Sequence, residues 1–372
     1  MGRAAENNPS SKREFDRAKS LLRANNLDLI RLILSLQVMA MHAQAHLRAP
    51  FPHWGRQLLE LTPALPIFFF ISGLLVTASF ARRSLREYAE ARIRRIFPAL
   101  WLTFFLTVPL LFVAGQITRQ TLMEPHFWVW VATQLTVLQV YHPSFFHHFG
   151  VGVVNGSLWT IPVEIGFYVT LPVLAWMAGG LRQGKQRFSA IIVSAGVLSC
   201  AIYAMLEGNQ SLLAKILFVT PIANFWYFAF GIMVFLNFER VMRWLAPLRG
   251  YPAGFLYPLL LFVLIRVQLS GMLPEAAVIV VTFPLVVAAI LGLAYVAKPL
   301  AGVLHGVDLS YSTYLFHMLV VNSLVELGIL GWQGVLLTFA VTLTLAFLSW
   351  SYVEAPVLHR TSAKSSNGSA RS

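Results

Sequence analysis

Long apolar runs alternate with short polar connectors along nearly the whole chain, and their lengths predict membrane helices. The first run, Leu27–Leu47 (LDLIRLILSLQVMAMHAQAHL), is long enough to cross a bilayer yet carries Asp28, Arg31 and His42. At about 100° per residue, Arg31 and His42 lie about 20° apart around a helix, so they share a face, and Asp28 and Ser35 fall on it too. Their heights differ by roughly 16 Å, about half the hydrocarbon thickness. Ionisable groups inside a membrane helix are costly and must face protein or water, so chemistry is expected on this stripe.

A second run, Thr62–Phe80, contains Ser72-Gly73, small residues that let helices approach closely in lipid. A third follows the arginine-rich stretch Arg82–Arg95 and ends near Gly115. Pro98 is expected in its first turn, where a missing N–H costs little. Pro125–Tyr141 is short for a span and is flanked by Trp128, Trp130 and Tyr141, which predicts a re-entrant or interfacial helix. Counting it as a full span would also put the basic loop Arg182–Arg187 outside. Further spans are expected at Leu158–Ala178, Ala190–Leu206, Leu212–Leu236, Ala253–Leu269, Ala276–Val296, Leu309–Gly328 and Val335–Val353. The fold class is therefore an all-α polytopic membrane protein with about ten transmembrane helices. A basic tail (1–26) and a polar tail (357–372), both cytoplasmic, flank one membrane domain (27–356). No internal repeat suggests a paired-bundle transporter.

Composition sharpens this picture. Of 372 residues, 57% are hydrophobic and 12% charged; a soluble domain carries about twice that charged share. Twenty-eight Lys and Arg against 15 Asp and Glu give a net charge of +13. In a multi-pass protein such an excess gathers in cytoplasmic loops, so lipid rather than nucleic acid is the expected partner. Arg119, Lys215 and Arg266 are exceptions on the outer side. A lone cysteine, Cys200, excludes a disulfide framework or a Cys-based metal site. The polar, basic start does not read as a cleaved signal peptide. His126, His142, His147 and His148 lie in or near an expected outer loop without a helical Glu-x-x-His pattern, so no metal is expected.

Four constellations carry candidate chemistry: Arg31-x10-His42; Arg92, Arg94 and Arg95 leading into Phe97-Pro98; Asn155-Gly-Ser-Leu-Trp159-Thr-Ile-Pro-Val-Glu164 with Phe167-Tyr168; and Ser310-Tyr311-Ser-Thr-Tyr314-Leu-Phe-His317 with Tyr352-Val-Glu354-Ala-Pro356. Together they resemble the acyltransferase family 3 membrane O-acyltransferases, whose bacterial members modify surface glycans, peptidoglycan and some antibiotics. The resemblance runs in order from Leu27 to Pro356 through LDLIRLILSLQVMAMHA, FFFISGLL, RIRRIFPALW, SLWTIPVEIGFY, LSYSTYLFH and YVEAPV. Each motif is weak alone; six in sequence are specific. The chain departs at IGFY after Glu164, where many relatives carry a second Glu and a Gln, so any substrate contact by that carboxylate must be made differently here. Nothing in the sequence could encode the extracytoplasmic hydrolase-like domain of some relatives.

The resemblance implies a bacterial cytoplasmic (inner) membrane enzyme that transfers an acyl group, usually acetyl, from cytoplasmic acyl-CoA to a glycan or glycolipid hydroxyl. The residues fit this reading. Arginines bind phosphates as charged donors, so Arg92, Arg94 and Arg95 either contact CoA or only set topology. His42 would act as a base on the acceptor hydroxyl or form an acyl-imidazole, unless a neighbouring helix merely satisfies it. Arg31 would steady the thioester carbonyl or hold CoA phosphate, and pairing with Asp28 is compatible with either. Glu164 would bond acceptor hydroxyls or orient His42, or else pair with a cation. Tyr311, Tyr314 and His317 are expected along the donor path, and Asn155, Trp159 and Tyr168 at the acceptor. Asp308 and Glu354 are expected as structural caps or pairs. Rival readings are a small-molecule acceptor, a succinyl donor, or a transporter with a proton path.

Overall fold

The computed structural model describes residues 25–181, 184–248, 256–296, 304 and 306–358. Nearly all of both polar tails, and Arg182 of the basic loop, lie outside these residues. The helices in order are α1 (Leu27–His46), α2 (His53–Leu61), α3 (Ala64–Phe80), α4 (Leu85–Val113) and α5 (Arg119–Met123). They continue with α6 (Pro125–Leu135), α7 (Thr160–Met177), α8 (Lys185–Leu206), α9 (Leu212–Phe218) and α10 (Pro221–Leu236). The last are α11 (Phe238–Leu245), α12 (Leu256–Leu269), α13 (Glu275–Leu291), α14 (Ser310–Glu326) and α15 (Gly331–Ser349). No strand occurs among the described residues beyond an isolated bridge at Ser270 and Leu273.

Among the described residues, seven helical stretches are long and apolar enough to cross a bilayer: His53–Phe80, Leu85–Val113, Gly156–Met177, Lys185–Leu206, Leu212–Leu236, Glu275–Tyr295 and Gly331–Leu358. The other three expected spans are helical as well. α1 carries Asp28 and Arg31 among its apolar residues, α14 has 17 residues, and the described part of the span expected at Ala253–Leu269 has 14. Large apolar side chains such as Phe112, Trp176 and Met205 point outward. In water that would be a liability, and in lipid it is what a helix with internally satisfied backbone presents. The chain is an all-α polytopic membrane protein.

Two units make up the chain. The first comprises residues 1–30, 65–88 and 163–306. In it α3 and α10 meet backbone to backbone. A Cβ on Gly73 would lie 2.1 Å from the Phe228 carbonyl oxygen, and one on Gly231 would lie 2.2 Å from that of Phe70. The small residue expected to permit close packing at Gly73 does so. Around this contact, rings from Phe69, Phe167, Phe228 and Phe283 form an aromatic core, with Phe167 stacked on Phe228 at 4.6 Å. The Asn26 side chain donates to the Leu293 carbonyl (2.8 Å), tying the entrance of α1 to a widened turn at Gly292–Val296.

The second unit comprises residues 31–64, 89–162 and 307–372. α14 and α15 form an antiparallel pair, shown by Ser312 near the start of one bonded to Ser349 at the end of the other (2.9 Å). Asn322 donates to the Val153 and Val154 carbonyls and accepts from the Val151 N–H, each at 2.9 Å, pinning the segment after α6 to α14. α6 is short, as expected, and its Trp130 is buried against Phe104 and Phe146.

The expectation for Pro98 is corrected. α4 begins at Leu85, so Pro98 and Pro109 are interior to a 29-residue helix. Ser84 and Glu87 form a reciprocal cap there: the Glu87 carboxylate accepts from the Ser84 N–H (2.9 Å) and Ser84 Oγ accepts from the Glu87 N–H (3.3 Å). Tyr88, Ile96 and Ala99, spaced for one helix face, are buried and carry the helix through the arginine-rich stretch.

Candidate active site

Within the second unit, two contacts join α1 to α14 and fix their relative direction. Near the start of both helices Arg31 Nη1 lies 2.9 Å from Asp308 Oδ2. Further along both, His42 Nδ1 lies 2.8 Å from His317 Nε2. The intervals are about 16 Å on α1 and about 13 Å on α14 at helical rise. The helices therefore run parallel, with a charged pole at one level and an imidazole pair roughly half a bilayer away.

The charged pole centres on Asp308, in the connector just ahead of α14. Its Oδ2 also meets Arg95 Nη2 at 2.5 Å, and its Oδ1 accepts from the Ser310 N–H (3.1 Å) and hydroxyl. Burial opposes ionisation of this carboxyl, but Arg31, Arg95 and Ser310 together hold it well below the usual carboxylate range. Arg95 further approaches Glu354 Oε2 (3.9 Å) and lies 5.5 Å from the centre of the Tyr311 ring, whose hydroxyl donates to the Ile96 carbonyl (3.1 Å). Glu354 accepts from Ser312 and Ser349. Asp308 and Glu354 thus follow the pairing alternative of the expectation, and Asp308 joins two arginines that are distant in sequence.

At the other pole His42 is half-buried, while His317 is fully enclosed (0% exposed). The two rings stack with centroids 5.0 Å apart, and the His46 ring lies 6.2 Å from that of His42. His317 Nδ1 faces the Tyr314 carbonyl at 2.7 Å. No hydrogen bond from a described residue reaches His42 Nε2. A partly exposed imidazole nitrogen with its partner nitrogen anchored can take a proton from a substrate hydroxyl.

The remaining candidates fall in distinct places. Arg94 pairs with Glu90 one turn back (3.3 Å), with 35% of its side chain exposed, and Arg92 is half-buried on the same helix. Asn155 is buried, donating to the Leu315 carbonyl (2.9 Å) and accepting from Ser157 (2.7 Å). Tyr314 donates to the Ser157 carbonyl (3.0 Å), and Trp159 is half-buried at the end of the turn that precedes α7. In the first unit Glu164 accepts from Tyr168, one turn along α7, and from Ser72 (3.5 Å). The Tyr168 carbonyl in turn accepts from Tyr88 (3.0 Å). His126 Nδ1 bonds the Tyr141 hydroxyl (2.7 Å), while burial, reinforced by His147, pushes His142 down to about 4. Among the described residues no group of three or more His, Cys, Asp or Glu is arranged to hold a metal ion.

Sequence reasoning placed His317 on the donor path and did not foresee its contact with His42. The available signal was the equal polarity of two helices, each with a charged residue at its start and a histidine about two to three turns later.

Comparisons with known proteins place the chain among acyltransferases. Residues 24–352 match a family described as an acyltransferase domain. The chain is 32% identical over 361 residues to nodulation protein 10 of Rhizobium leguminosarum bv. viciae, covering 90% of this chain and 93% of that protein. It is 25% identical over 365 residues to an O-acetyl transferase of Shigella phage Sf6, covering 92% and 98% respectively. No solved structure matches the chain.

Proposed function

From the premise that this chain belongs to the acyltransferase 3 family of membrane acyltransferases, we propose that it moves an acetyl group from cytoplasmic acetyl-CoA to a hydroxyl of a surface polysaccharide or lipid-linked glycan precursor. The observation that carries this reading is the half-buried His42 ring, anchored through Nδ1 by His317 and left without a described partner at Nε2. The name of the phage relative, an O-acetyl transferase, supports the choice of acyl group and acceptor atom.

A sugar hydroxyl is a weak nucleophile, and a neutral imidazole suits proton removal near pH 7. His42 Nε2 takes the hydroxyl proton as the oxygen attacks the acyl carbonyl carbon. It returns that proton to the departing sulfur as the carbon–sulfur bond breaks, so the ring ends unchanged. Acyl-CoA, when bound, supplies the activated thioester. The donor set fits its phosphates, since Arg92 and Arg94 lie partly exposed on α4 beside Arg95. Arg31 and Arg95, joined through Asp308, add positive potential to that end, with Tyr311 and Tyr314 along the approach. Asn155 and Trp159 belong to the acceptor side in this reading. The protein would sit in a bacterial inner membrane with both termini cytoplasmic, donor entering from inside and acceptor from outside.

The test compares cell-surface glycan acetyl content in a deletion strain complemented with wild type or with His42→Ala. Wild type should restore acetylation, and His42→Ala should lower it by about 10²-fold or more while accumulating normally in the membrane. Undiminished acetylation by that variant would remove His42 from the chemistry.

A further inference from the structure

The order of hydrogen bonds around the two imidazoles admits one assignment of protons when both rings are neutral. A carbonyl oxygen only accepts, so His317 Nδ1, 2.7 Å from the Tyr314 carbonyl, must carry a hydrogen. Neutral His317 then presents a bare Nε2, and this lone pair faces His42 Nδ1 at 2.8 Å. His42 must be the donor in that bond. Its ring hydrogen therefore sits on Nδ1, and its Nε2 keeps the lone pair.

We infer that His317 is a positioning residue for the acyl transfer. Fixed by a backbone carbonyl of its own helix, it selects the His42 tautomer whose Nε2 can accept a proton and holds that ring in place. The inference rests on the proposed role of His42 as base. When His42 takes the substrate proton, its Nδ1–H bond to His317 becomes charge-assisted and strengthens. In the other tautomer Nε2 would bear the hydrogen and could not act as a base. His317 is sealed from solvent and acts on the substrate only through His42. A carbonyl, a buried imidazole and a reactive imidazole in a row perform what a carboxylate and histidine do in a serine hydrolase, without a charge in the membrane interior.

The experiment uses inverted membrane vesicles matched for protein level and carrying wild type, His317→Ala, His317→Gln or His42→Ala. Radiolabelled acetyl-CoA is supplied over a concentration series, and label reaching membrane glycan is counted. His317→Ala should lower the maximal rate by about 10- to 100-fold, the range for a hydrogen bond to a group that becomes charged, with the donor KM unchanged. His317→Gln should recover most of that loss, because its amide oxygen can accept from His42 Nδ1–H. A wild-type rate in His317→Ala beside an inactive His42→Ala would overturn the relay and leave the base intact. Glutamine no better than alanine, or a donor KM rising in step with the rate loss, would overturn it too. Activity in His42→Ala would overturn the base and the relay together. If His317→Ala fails to accumulate, nitrogen-15 spectra of histidine-labelled wild type decide, with His42 assigned by its loss in His42→Ala. A hydrogen on Nδ1 supports the relay, and one on Nε2 overturns it.

Discussion

Asp308 holds two guanidiniums at a point where water is scarce, with 13% of its side chain exposed. Removing one partner of such a pair leaves the others poorly solvated, at a cost of about 3–5 kcal/mol. Asp308→Ala should therefore lower the thermal midpoint in detergent more than truncation of any surface carboxylate. Its contribution also has a defined pH window. The folded-state value is depressed from 3.8, so the stabilisation is complete above about pH 4 and is lost as pH falls further. The wild-type midpoint should drop on acidification through that range, and the variant should drop less. Arg94 makes the opposite case. Its i,i+4 pair with Glu90 is exposed enough that Arg94→Ala should change stability by less than about 0.5 kcal/mol. If Arg94 contacts donor phosphate, the variant raises the donor KM at constant maximal rate, and an unchanged KM returns Arg94 to topology. The shared face of Arg31 and His42 was legible because it depends on helical period alone. Their partners were not, since Asp308 and His317 lie 277 and 275 positions away, and no local pattern specifies which distant helix will pack alongside.

At the scale of elements, the first unit depends on how closely α3 and α10 approach. The gap at Gly231 admits no Cβ, because the nearest atoms belong to the backbone of Phe70, Gly73 and Leu74, which cannot rotate away as a side chain would. Gly231→Val should separate the helices and cost about 1–3 kcal/mol or more by overpacking. Fluorescence-detected gel filtration after heating would show it as an earlier loss of the monodisperse peak. Gly115, also a glycine, has nothing within 4 Å of a built Cβ, and its left-handed φ of 71° is its constraint instead. Apolar run length revealed most helices but misplaced the start of α4. There the helix continues through arginines that hydropathy reads as loop, and only the Ser84-Leu-Arg-Glu87 capping pattern marks the true beginning. α2 was missed for a related reason. It is nine residues long, begins after Pro52, and buries none of its side chains within the protein.

For the whole molecule, the parallel course of α1 and α14 constrains how the chain threads the bilayer. Arg31 and Asp308 meet at the leading ends of both helices, so the chain must enter α1 and α14 from the same face. An even number of crossings must therefore separate the two entrances. The ten-span arrangement meets this condition only if the segment between α4 and α7 does not cross. α6 supplies the physical reason: eleven residues at helical rise extend about 16 Å, half of the roughly 30 Å needed. Turning residues 125–141 into a span would make the count odd and set Arg31 and Asp308 on opposite faces, which their 2.9 Å contact forbids. Cysteine accessibility, with Cys200→Ala as background, tests this directly. Single cysteines at Gln116 and at His148 should react alike with a membrane-impermeant maleimide added from outside. A cysteine at Gln186 should react only after the membrane is opened. Opposite accessibility at Gln116 and His148 would show a crossing between them, and the parallel pairing of the arginine and histidine poles could not then hold in the membrane.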